Sequence, residues 1–445
     1  MNFTKKIIHE NKFKVKNESN FLSKVDIFFS NDFVLNNNLL NFENYNGLYA
    51  PKGITMYKSI YFSYKNKYFS ISSEPQNISI NKYYEDSSVL KNGVFSKLND
   101  VRHDDYYQNS NILLKNTGIR FRFKSFEVGH GNWNTWWGAG IHNSLSLSNN
   151  TLGFKHTYIS LTRDIKYFKN SSIKYKYLIS ENFKNSIGND FAVAFSMVNI
   201  KINKIEIGAN INYLIGGYDE YRADSWFMLP LNIKNKILPN GKLSHYFVSY
   251  YNNSSNLRLF YEFGFPNKFT FSNNKYFRNE NSIGTNIGFR KKKLFNNPNL
   301  VFGLEYTRLI QGIYYNLEPT PNWYQNIKYD YSSYKGRRWA AHSGTDSDDL
   351  YFYSGVIIDH FTFLFIFNYE RHGVNYSFPP EIKFEGGIST SLKVNKMFFH
   401  LKYENEYYEH YGFVDNNDNI WSNTRNPGSI QRTKSLIFSV DLRIL

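Results

Sequence analysis

Hydrophobic and polar residues alternate with a period of two along most of the chain after about residue 50. The segment 361–367 has an aromatic ring at every odd position, and 119–124 alternates apolar side chains with Arg120, Arg122 and Lys124. A period of two places one set of side chains on each face of a β-strand. One face therefore suits hydrocarbon and the other suits water, which is typical of a transmembrane β-strand.

The same alternation recurs along the chain, mostly in segments longer than the about five or six residues typical of strands in soluble sheets. A soluble fold would have to bury 37 Tyr, 40 Phe and 7 Trp in its core, whereas a barrel in lipid can expose them. The other alternating segments are 54–63, 67–72, 173–180, 191–200, 205–213, 245–251, 282–290, 301–309, 350–358, 382–394, 397–408 and 433–445.

Short and long connections alternate between these segments, as they do in outer-membrane barrels. Counted from the C-terminus, the long connections 410–431, 371–380 and 312–349 are separated by the tight turns 395–396 and 359–360. The alternation of lengths cannot be followed between residues 253 and 281. Residues 51–445 are therefore predicted to form an all-β, transmembrane antiparallel β-barrel of about 16 to 20 strands, with 18 as the best value and a partly plugged lumen. Residues 1–50 are left open as a plug, an edge strand or a tail.

Composition excludes several other classes of protein. The most apolar run, 361–367, is far shorter than the roughly 18 residues that a membrane-spanning helix needs. The absence of cysteine excludes disulfides, thiolate zinc sites and cysteine nucleophiles. The first ten residues contain no apolar core of a secretory signal, which indicates either a cytoplasmic protein or a mature or truncated form. The barrel pattern favours the second reading and hence the outer membrane.

The net charge of +16 has two readings. It would draw the protein towards polyanions such as acidic polysaccharide, anionic lipid or nucleic acid. Alternatively, the lysines simply solvate loops and turns.

A first segment that departs from plain alternation is rich in tryptophan and glycine. Trp133, Trp136 and Trp137 lie within five residues of one another, and Asn149 follows in a run rich in serine and asparagine. Tryptophan rings stack on the apolar faces of sugars, while Asn and Ser side chains bind hydroxyl groups. This pattern predicts a ligand surface on the long-loop side or in the lumen, and an interfacial aromatic girdle or an internal plug is the alternative.

A second segment, 331–349, combines aromatic, cationic and acidic side chains. By the parity of the connections it is expected to face outward. Asp346, Asp348 and Asp349 could bind Ca²⁺, but the segment lacks the glycine and distal glutamate of a calcium loop. The interpretation favoured is that these carboxylates pair with Arg337, Arg338 or lysines of the lumen.

The two segments together resemble the landmark segments of the Wzi capsule-assembly family in kind, order and separation. The similar residues are 136–140 with 144–150, and later 334–337 with 342–343 and 346–348. The resemblance implies an outer-membrane β-barrel that holds capsular polysaccharide at the cell surface and acts as a lectin rather than an enzyme. The candidate polysaccharide-binding residues are Trp133, Trp136, Trp137, Asn149, Tyr334, Lys335, Arg337, Arg338, His342, Asp346 and Asp348.

Three other functions remain as alternatives. A porin or transporter would share the barrel, and an outer-membrane hydrolase could use His142 and Ser144 on one strand face. Neighbours on one face of a strand lie about 7 Å apart, too far for a serine and its base, so this reading is disfavoured. A nucleic-acid binder rests on charge alone. The expected partners are therefore capsular or extracellular polysaccharide and outer-membrane lipid, not nucleic acid, and no cofactor or metal ion is predicted.

Overall fold

The structure is a computed structural model of the 445-residue chain. It describes residues 24–39, 43–45, 47, 50–81, 112–165, 170–184, 190–216, 242–266, 283–309, 333–334, 337–374, 379–413 and 430–444. Among these residues, no helix has both the length and the hydropathy required to cross a membrane.

Strands account for most of the described residues. The first twelve are β1 (Lys24–Asn36), β2 (Gly53–Lys65), β3 (Phe69–Asn81), β4 (Ile112–Phe123), β5 (Phe126–Gly131), β6 (His156–Asp164), β7 (Ser172–Ser180), β8 (Phe183–Lys184), β9 (Asp190–Ile202), β10 (Ile205–Gly216), β11 (Lys242–Asn252) and β12 (Leu257–Pro266). The others are β13 (Gly284–Lys292), β14 (Leu300–Arg308), β15 (Ser333–Tyr334), β16 (Arg337–Arg338), β17 (Ser347–Ile358), β18 (Phe361–His372), β19 (Glu381–Val394), β20 (Met397–Glu409) and β21 (Gln431–Arg443).

Eighteen of these strands close into one antiparallel barrel, which confirms the predicted fold class. Each barrel strand pairs with its neighbours in sequence, and β1 closes the sheet by pairing with both β2 and β21. Strand β7 pairs directly with β9, while the two-residue β8 extends along the start of β9. The short strands β15 and β16 form a separate ladder.

Part of the first 50 residues belongs to the barrel wall. Residues 24–36 form β1, with Lys24 opposite Lys65 on one side and Phe28 opposite Arg443 on the other. Of the three possibilities left open for residues 1–50, this part is a strand, and it is paired along both edges. The barrel wall therefore includes residues before position 51, where the sequence-based boundary had placed its start.

The connections follow one parity throughout. The turns 66–68, 124–125, 203–204, 253–256, 359–360 and 395–396 are short and join strands at one end of the barrel. Strands β11 and β12 are joined by the short turn 253–256, which resolves the stretch where the sequence pattern could not be followed. In outer-membrane barrels the short turns face the periplasm and the longer connections face outward.

Outward and inward side chains differ as the alternation predicts. On β18, Phe365 is 54% exposed on the outer face, while Thr362, Asn368 and Glu370 on the inner face are buried. On β4, Phe121 is likewise strongly exposed. In lipid the outer rings contact acyl chains, so their burial requires no protein core.

Candidate functional site

Two connections from the long-loop end fold back into the barrel and fill part of its lumen. We call residues 132–155 the tryptophan segment, and residues 333–334 with 337–346 the arginine segment. They bind each other through hydrogen bonds to backbone carbonyls: Ser148 N donates to Trp339 O at 2.8 Å, and Thr151 Oγ1 donates to Tyr334 O at 3.1 Å. The predicted partial plug is therefore present, and it consists of the two segments that the sequence singled out.

Carboxylates of the barrel wall anchor the tryptophan segment. Glu305 on β14 accepts hydrogen bonds from the backbone N–H groups of Ile141, His142 and Asn143, at 3.0 Å from His142 and 2.6 Å from Asn143. Glu262 on β12 accepts one from Leu145 N at 2.9 Å. Consecutive N–H groups that converge on one carboxylate form an anion nest. The wall thus supplies acceptors that the irregular backbone of the plug cannot supply for itself.

The three tryptophans lie in the lumen, one of the two places predicted for them, but they do not form a single exposed surface. Trp133 is 8% exposed, with the Arg120 guanidinium 3.9 Å from the ring centroid and its Nε1 donating to Ser72 Oγ at 3.0 Å. Trp137 is 7% exposed and packs in the central apolar cluster with Leu145. These rings fill the lumen because the plug offers them other apolar side chains instead of water.

Trp136 has a different environment from its two neighbours. It is partly exposed and lines a luminal cavity of about 1310 Å³ together with Asn134, Asn149 and Tyr334. The cavity continues along the wall to Arg443, near the short-turn end. Trp133 lines the same cavity but is only 8% exposed, so the partly exposed Trp136 offers a ligand the larger surface.

The arginine segment lies inside the barrel rather than facing outward. Arg337 and Arg338 are 1% and 2% exposed, and Arg337 donates from Nε to Asn150 O at 3.2 Å. Asp346 is also buried, with a φ of 52°, and its carbonyl accepts from Gly373 N at 2.9 Å. The expectation of an outward-facing surface was wrong because this segment packs on the tryptophan segment. Lys335 lies outside the described residues.

Asp348 belongs to the outer face of the wall. It accepts hydrogen bonds from Arg371, its cross-strand neighbour, with Nε to Oδ1 at 2.8 Å. Asp348 therefore pairs with Arg371, whereas pairing with Arg337, Arg338 or a lysine of the lumen had been expected. Consecutive strand residues point to opposite faces, so Asp349 faces the lumen instead. There its Oδ2 accepts from Asn143 Nδ2 at 2.6 Å.

A cluster of imidazole and carboxylate groups lies where the plug meets β17 and β18. His342 Nε2 lies 2.6 Å from Glu370 Oε1, 3.4 Å from Asp349 Oδ2 and 3.8 Å from Glu43 Oε2. The rings of His142 and His342 have centroids 4.4 Å apart. Sequence reasoning missed Glu43 and Glu370, since nothing local marks residues that meet across the barrel.

The electrostatics of this cluster follow from burial and charge. Burial alone would lower the pKa of His342, but Glu370, Glu43 and Asp349 raise it to about 9. Burial, together with the charge of His342, lowers the pKa of His142 well below its usual value. Burial and Glu370 raise the pKa of Glu43, against the opposing effect of Lys383.

Inward-facing charges of the wall extend this cluster. Lys383 forms ion pairs with Glu43, with Glu385 at 3.2 Å and with Glu406 at 3.5 Å. Lys402 forms an ion pair with the buried Glu404. Charges are tolerated here because each lies against an opposite charge.

The serine and histidine considered for hydrolysis have other partners. Ser144 Oγ donates to Trp137 O at 2.6 Å, and the ring of His142 stacks on Tyr351 with centroids 3.8 Å apart. A nucleophile needs its base within hydrogen-bond distance. The structure gives these two residues structural contacts instead.

Comparison with known proteins identifies the fold. No family model matches the chain, and no curated protein does. A solved structure of Wzi, an Escherichia coli outer-membrane protein involved in group 1 capsule assembly and described as a carbohydrate-binding β-barrel, matches with a TM-score of 0.63 at 10% identity. The match covers 92% of this chain and 83% of that one.

Other barrels also match. Pseudomonas aeruginosa OpdK, solved with vanillate, gives a TM-score of 0.51 at 8% identity over 95% of this chain and 100% of that one. A variant of OccD1 (OprD) gives 0.51 at 8% identity, over 96% and 97% of the two chains. At such identities the likeness concerns the fold alone. The chain therefore has the fold of an outer-membrane β-barrel, shared with a carbohydrate-binding barrel and with Occ barrels.

Proposed function

We propose that the protein resides in the outer membrane, where it binds surface polysaccharide and helps to retain it at the cell, as a lectin without catalytic activity. The observation that carries the proposal is the composition of the luminal cavity. Trp136 and Tyr334 line it beside the amides of Asn134 and Asn149. Aromatic rings suit the apolar faces of sugars, and amides both donate to and accept from hydroxyl groups.

The charge of the cavity is mixed. Of the described residues that line it, six are Lys or Arg and five are Asp or Glu. Serines of the wall, including Ser59, Ser63 and Ser439, add hydroxyl groups. This lining suits a large, hydroxyl-rich ligand better than a small, strongly charged one.

The excess of positive charge on the whole chain, +16, favours an acidic polymer over a neutral one. Each exposed cation contributes little, so one site binds weakly. Retention then depends on many barrels that bind repeats of one polymer, which raises the effective affinity without new contacts. The carbohydrate binding described for Wzi, which shares the fold, supports this proposal.

A channel is the second candidate, favoured by the shared fold with OpdK and by a cavity that extends along the wall. Against it stand the two segments inside the lumen and the hydrogen bonds from the tryptophan segment to Glu262 and Glu305. Single-channel recording in planar bilayers separates the candidates. The binding function predicts a closed barrel, and a steady open conductance supports the channel.

The direct test is glycan-array binding by the purified barrel in detergent, with acidic and neutral bacterial polysaccharides as probes. Trp136→Ala should weaken binding about tenfold, equivalent to roughly 1.4 kcal/mol, and Trp136→Phe should restore part of it. Phe295→Ala, at an aromatic residue that is 87% exposed on a short turn, is the matched control. Equal binding by the wild type and Trp136→Ala would overturn the proposed role of the cavity.

A further inference from the structure

We propose that Glu43, His142, His342 and Glu370 form a binding site for a divalent transition-metal ion, of which Zn²⁺ is the representative. One nitrogen or oxygen atom from each of these residues lies within 4.8 Å of the corresponding atoms of the other three. The four residues come from four different parts of the chain and meet inside the lumen. This inference is independent of the proposed polysaccharide binding.

The spacing is close to that of a tetrahedral site. With metal–ligand bonds of about 2.1 Å, the ligand atoms of tetrahedral Zn²⁺ lie about 3.4 Å apart. His342 Nε2 is 3.8 Å from Glu43 Oε2 and 2.6 Å from Glu370 Oε1. Small rotations of the side chains, which move atoms by about 1 Å, would convert the present hydrogen-bonded cluster into such a site.

The kinds of ligand select the class of metal. Imidazole nitrogen is a good ligand for Zn²⁺ and other late transition metals, whereas Mg²⁺ and Ca²⁺ prefer oxygen ligands alone. Two neutral imidazoles and two carboxylates around Zn²⁺ also give a complex without net charge. A neutral complex is the form that a buried site accommodates at the lowest electrostatic cost.

The surrounding charge favours a cation. This part of the lumen contains seven carboxylates and four cationic side chains, when His342 and His372 are both counted as protonated. The carboxylates are thus in excess by three. The carboxylates are Glu43, Asp349, Glu370, Glu381, Glu385, Glu404 and Glu406, and the cationic side chains are His342, His372, Lys383 and Lys402. When His342 is a neutral metal ligand, the seven carboxylates exceed the three remaining cations by four charges, and a bound divalent ion would compensate half of this excess.

Two buried atoms point to a missing partner in the cluster. His142 Nε2 makes no hydrogen bond to any described residue, and a carboxylate oxygen of Asp349 lies 3.7 Å from it. Asp349, whose side chain is fully buried and lies against both imidazoles, has no hydrogen-bond partner for Oδ1 among the described residues. Buried polar atoms normally have partners, and a metal ion would satisfy the nitrogen directly while the carboxylate orients the rings.

A metal ion here would connect the plug to the wall. Glu43 follows β1, His142 belongs to the tryptophan segment, His342 to the arginine segment, and Glu370 to β18. The separation of these residues along the chain explains why the sequence predicted no metal site. The bound form should therefore be more stable than the apo form by the free energy of binding.

The test is Zn²⁺ binding to the full-length barrel in detergent, after treatment with a chelator and dialysis. The wild type should bind one Zn²⁺ per barrel and unfold at a higher temperature with Zn²⁺ than without it. His142→Gln and His342→Gln should each weaken binding at least tenfold. His400→Gln, at another buried luminal histidine whose Nδ1 is paired with Ser391 Oγ at 2.9 Å, is the control and should bind as the wild type does.

A second measurement protects the test against variants that fold poorly. Co²⁺ added to the wild type should give the intense visible spectrum of a tetrahedral nitrogen and oxygen site, and Zn²⁺ but not Mg²⁺ should abolish it. Heat-modified mobility on a gel reports whether each barrel is folded. The proposal is overturned if folded wild type binds no Zn²⁺, or if both His→Gln variants bind it as tightly as the wild type.

Discussion

Oε1 of Glu305 on the barrel wall accepts a hydrogen bond of 2.6 Å from the backbone N–H of Asn143 in the plug. Asn286 Nδ2, on the neighbouring strand, donates to the same oxygen at 3.1 Å. The carboxylate is thus buried with donors from both the plug and the wall. Glu305 therefore helps to hold the plug in the lumen, because hydrogen bonds to a charged group are stronger than those between neutral groups.

Replacing this carboxylate should loosen the plug without preventing barrel formation. Glu305→Ala leaves the N–H groups of Ile141, His142 and Asn143 without their acceptor in a buried site. The expected cost is on the order of 3 kcal/mol, because hydrogen bonds to charged groups are among the strongest in proteins. In planar bilayers the variant should show a higher conductance than the wild type.

The control for this experiment is Glu206→Ala on β10. Glu206 is a wall carboxylate whose partners, Asn199 and Tyr251, also belong to the wall. It should leave the conductance unchanged. A silent Glu305→Ala barrel, correctly inserted, would show that other contacts are sufficient to hold the plug.

A glycine of the wall makes room for a tyrosine ring of the next strand. Gly303 on β14 lies opposite Tyr353 on β17, and a Cβ at position 303 would overlap the ring of Tyr353, which is fully buried. Gly303→Ala should therefore destabilise the barrel by about 1–3 kcal/mol, the usual cost of overpacking. Urea unfolding followed by tryptophan fluorescence measures the effect.

Gly386→Ala is the matched control, because a Cβ at that position would meet no atom within 4 Å. It should change the free energy of unfolding by no more than about 0.5 kcal/mol. Equal stability of the two alanine variants would mean that the ring of Tyr353 moves aside at little cost.

The two faces of a strand should respond differently to charge. Ile60 on β2 is 43% exposed on the outer face, whereas Ser63 on the same strand lines the luminal cavity. Ile60→Lys places an ammonium group in hydrocarbon, and should cost about 2–4 kcal/mol if the site lies near the bilayer midplane. Ser63→Lys places the same group in an aqueous lumen. Reversible unfolding in lipid vesicles should separate the two, and equal costs would contradict the assignment of the faces.

The barrel could be predicted because its pattern is local. Lipid on one side and a polar lumen on the other impose a period of two on each strand by itself. Strand β1 carries the same signal, with Val25, Phe29 and Leu35 exposed on its outer face. Two residues that line the lumen, Phe28 and Val34, are apolar and interrupt the alternation, which is why the strand was not recognised as part of the wall.

The contents of the lumen could be predicted only in part. Composition singled out the tryptophan and arginine segments, and the structure packs them on each other. Composition did not show that these segments bind wall residues more than 100 positions away. Asn143, for example, binds Glu305, and Leu145 binds Glu262. Pairings of this kind depend on closure of the barrel, and no local period encodes them. The prediction that Asp348 and Asp349 both pair with arginines of the plug or lysines of the lumen could have been avoided. The two residues are consecutive in a strand, so they cannot both face the lumen.

Trp136 and Trp137 differ in burial, and this difference distinguishes a role in ligand binding from a role in packing. Trp137 packs with Leu145 and Trp339 in the apolar cluster of the lumen, whereas Trp136 lines the cavity. Trp137→Ala should destabilise the plug by about 3–5 kcal/mol, as truncation of a buried aromatic residue does. Limited proteolysis within the tryptophan segment should therefore become faster. Trp136→Ala should leave the rate of proteolysis close to that of the wild type.

The same pair of variants separates the effect on binding from the effect on folding. If Trp137 acts only through packing, Trp137→Phe should recover most of the protease resistance together with most of any lost polysaccharide binding. Trp136→Ala should lose binding while the plug stays protected, because its ring faces the cavity rather than the apolar cluster. A Trp136→Ala barrel that is digested as fast as Trp137→Ala would assign both rings to the core, and the cavity would then lose its principal sugar-stacking group.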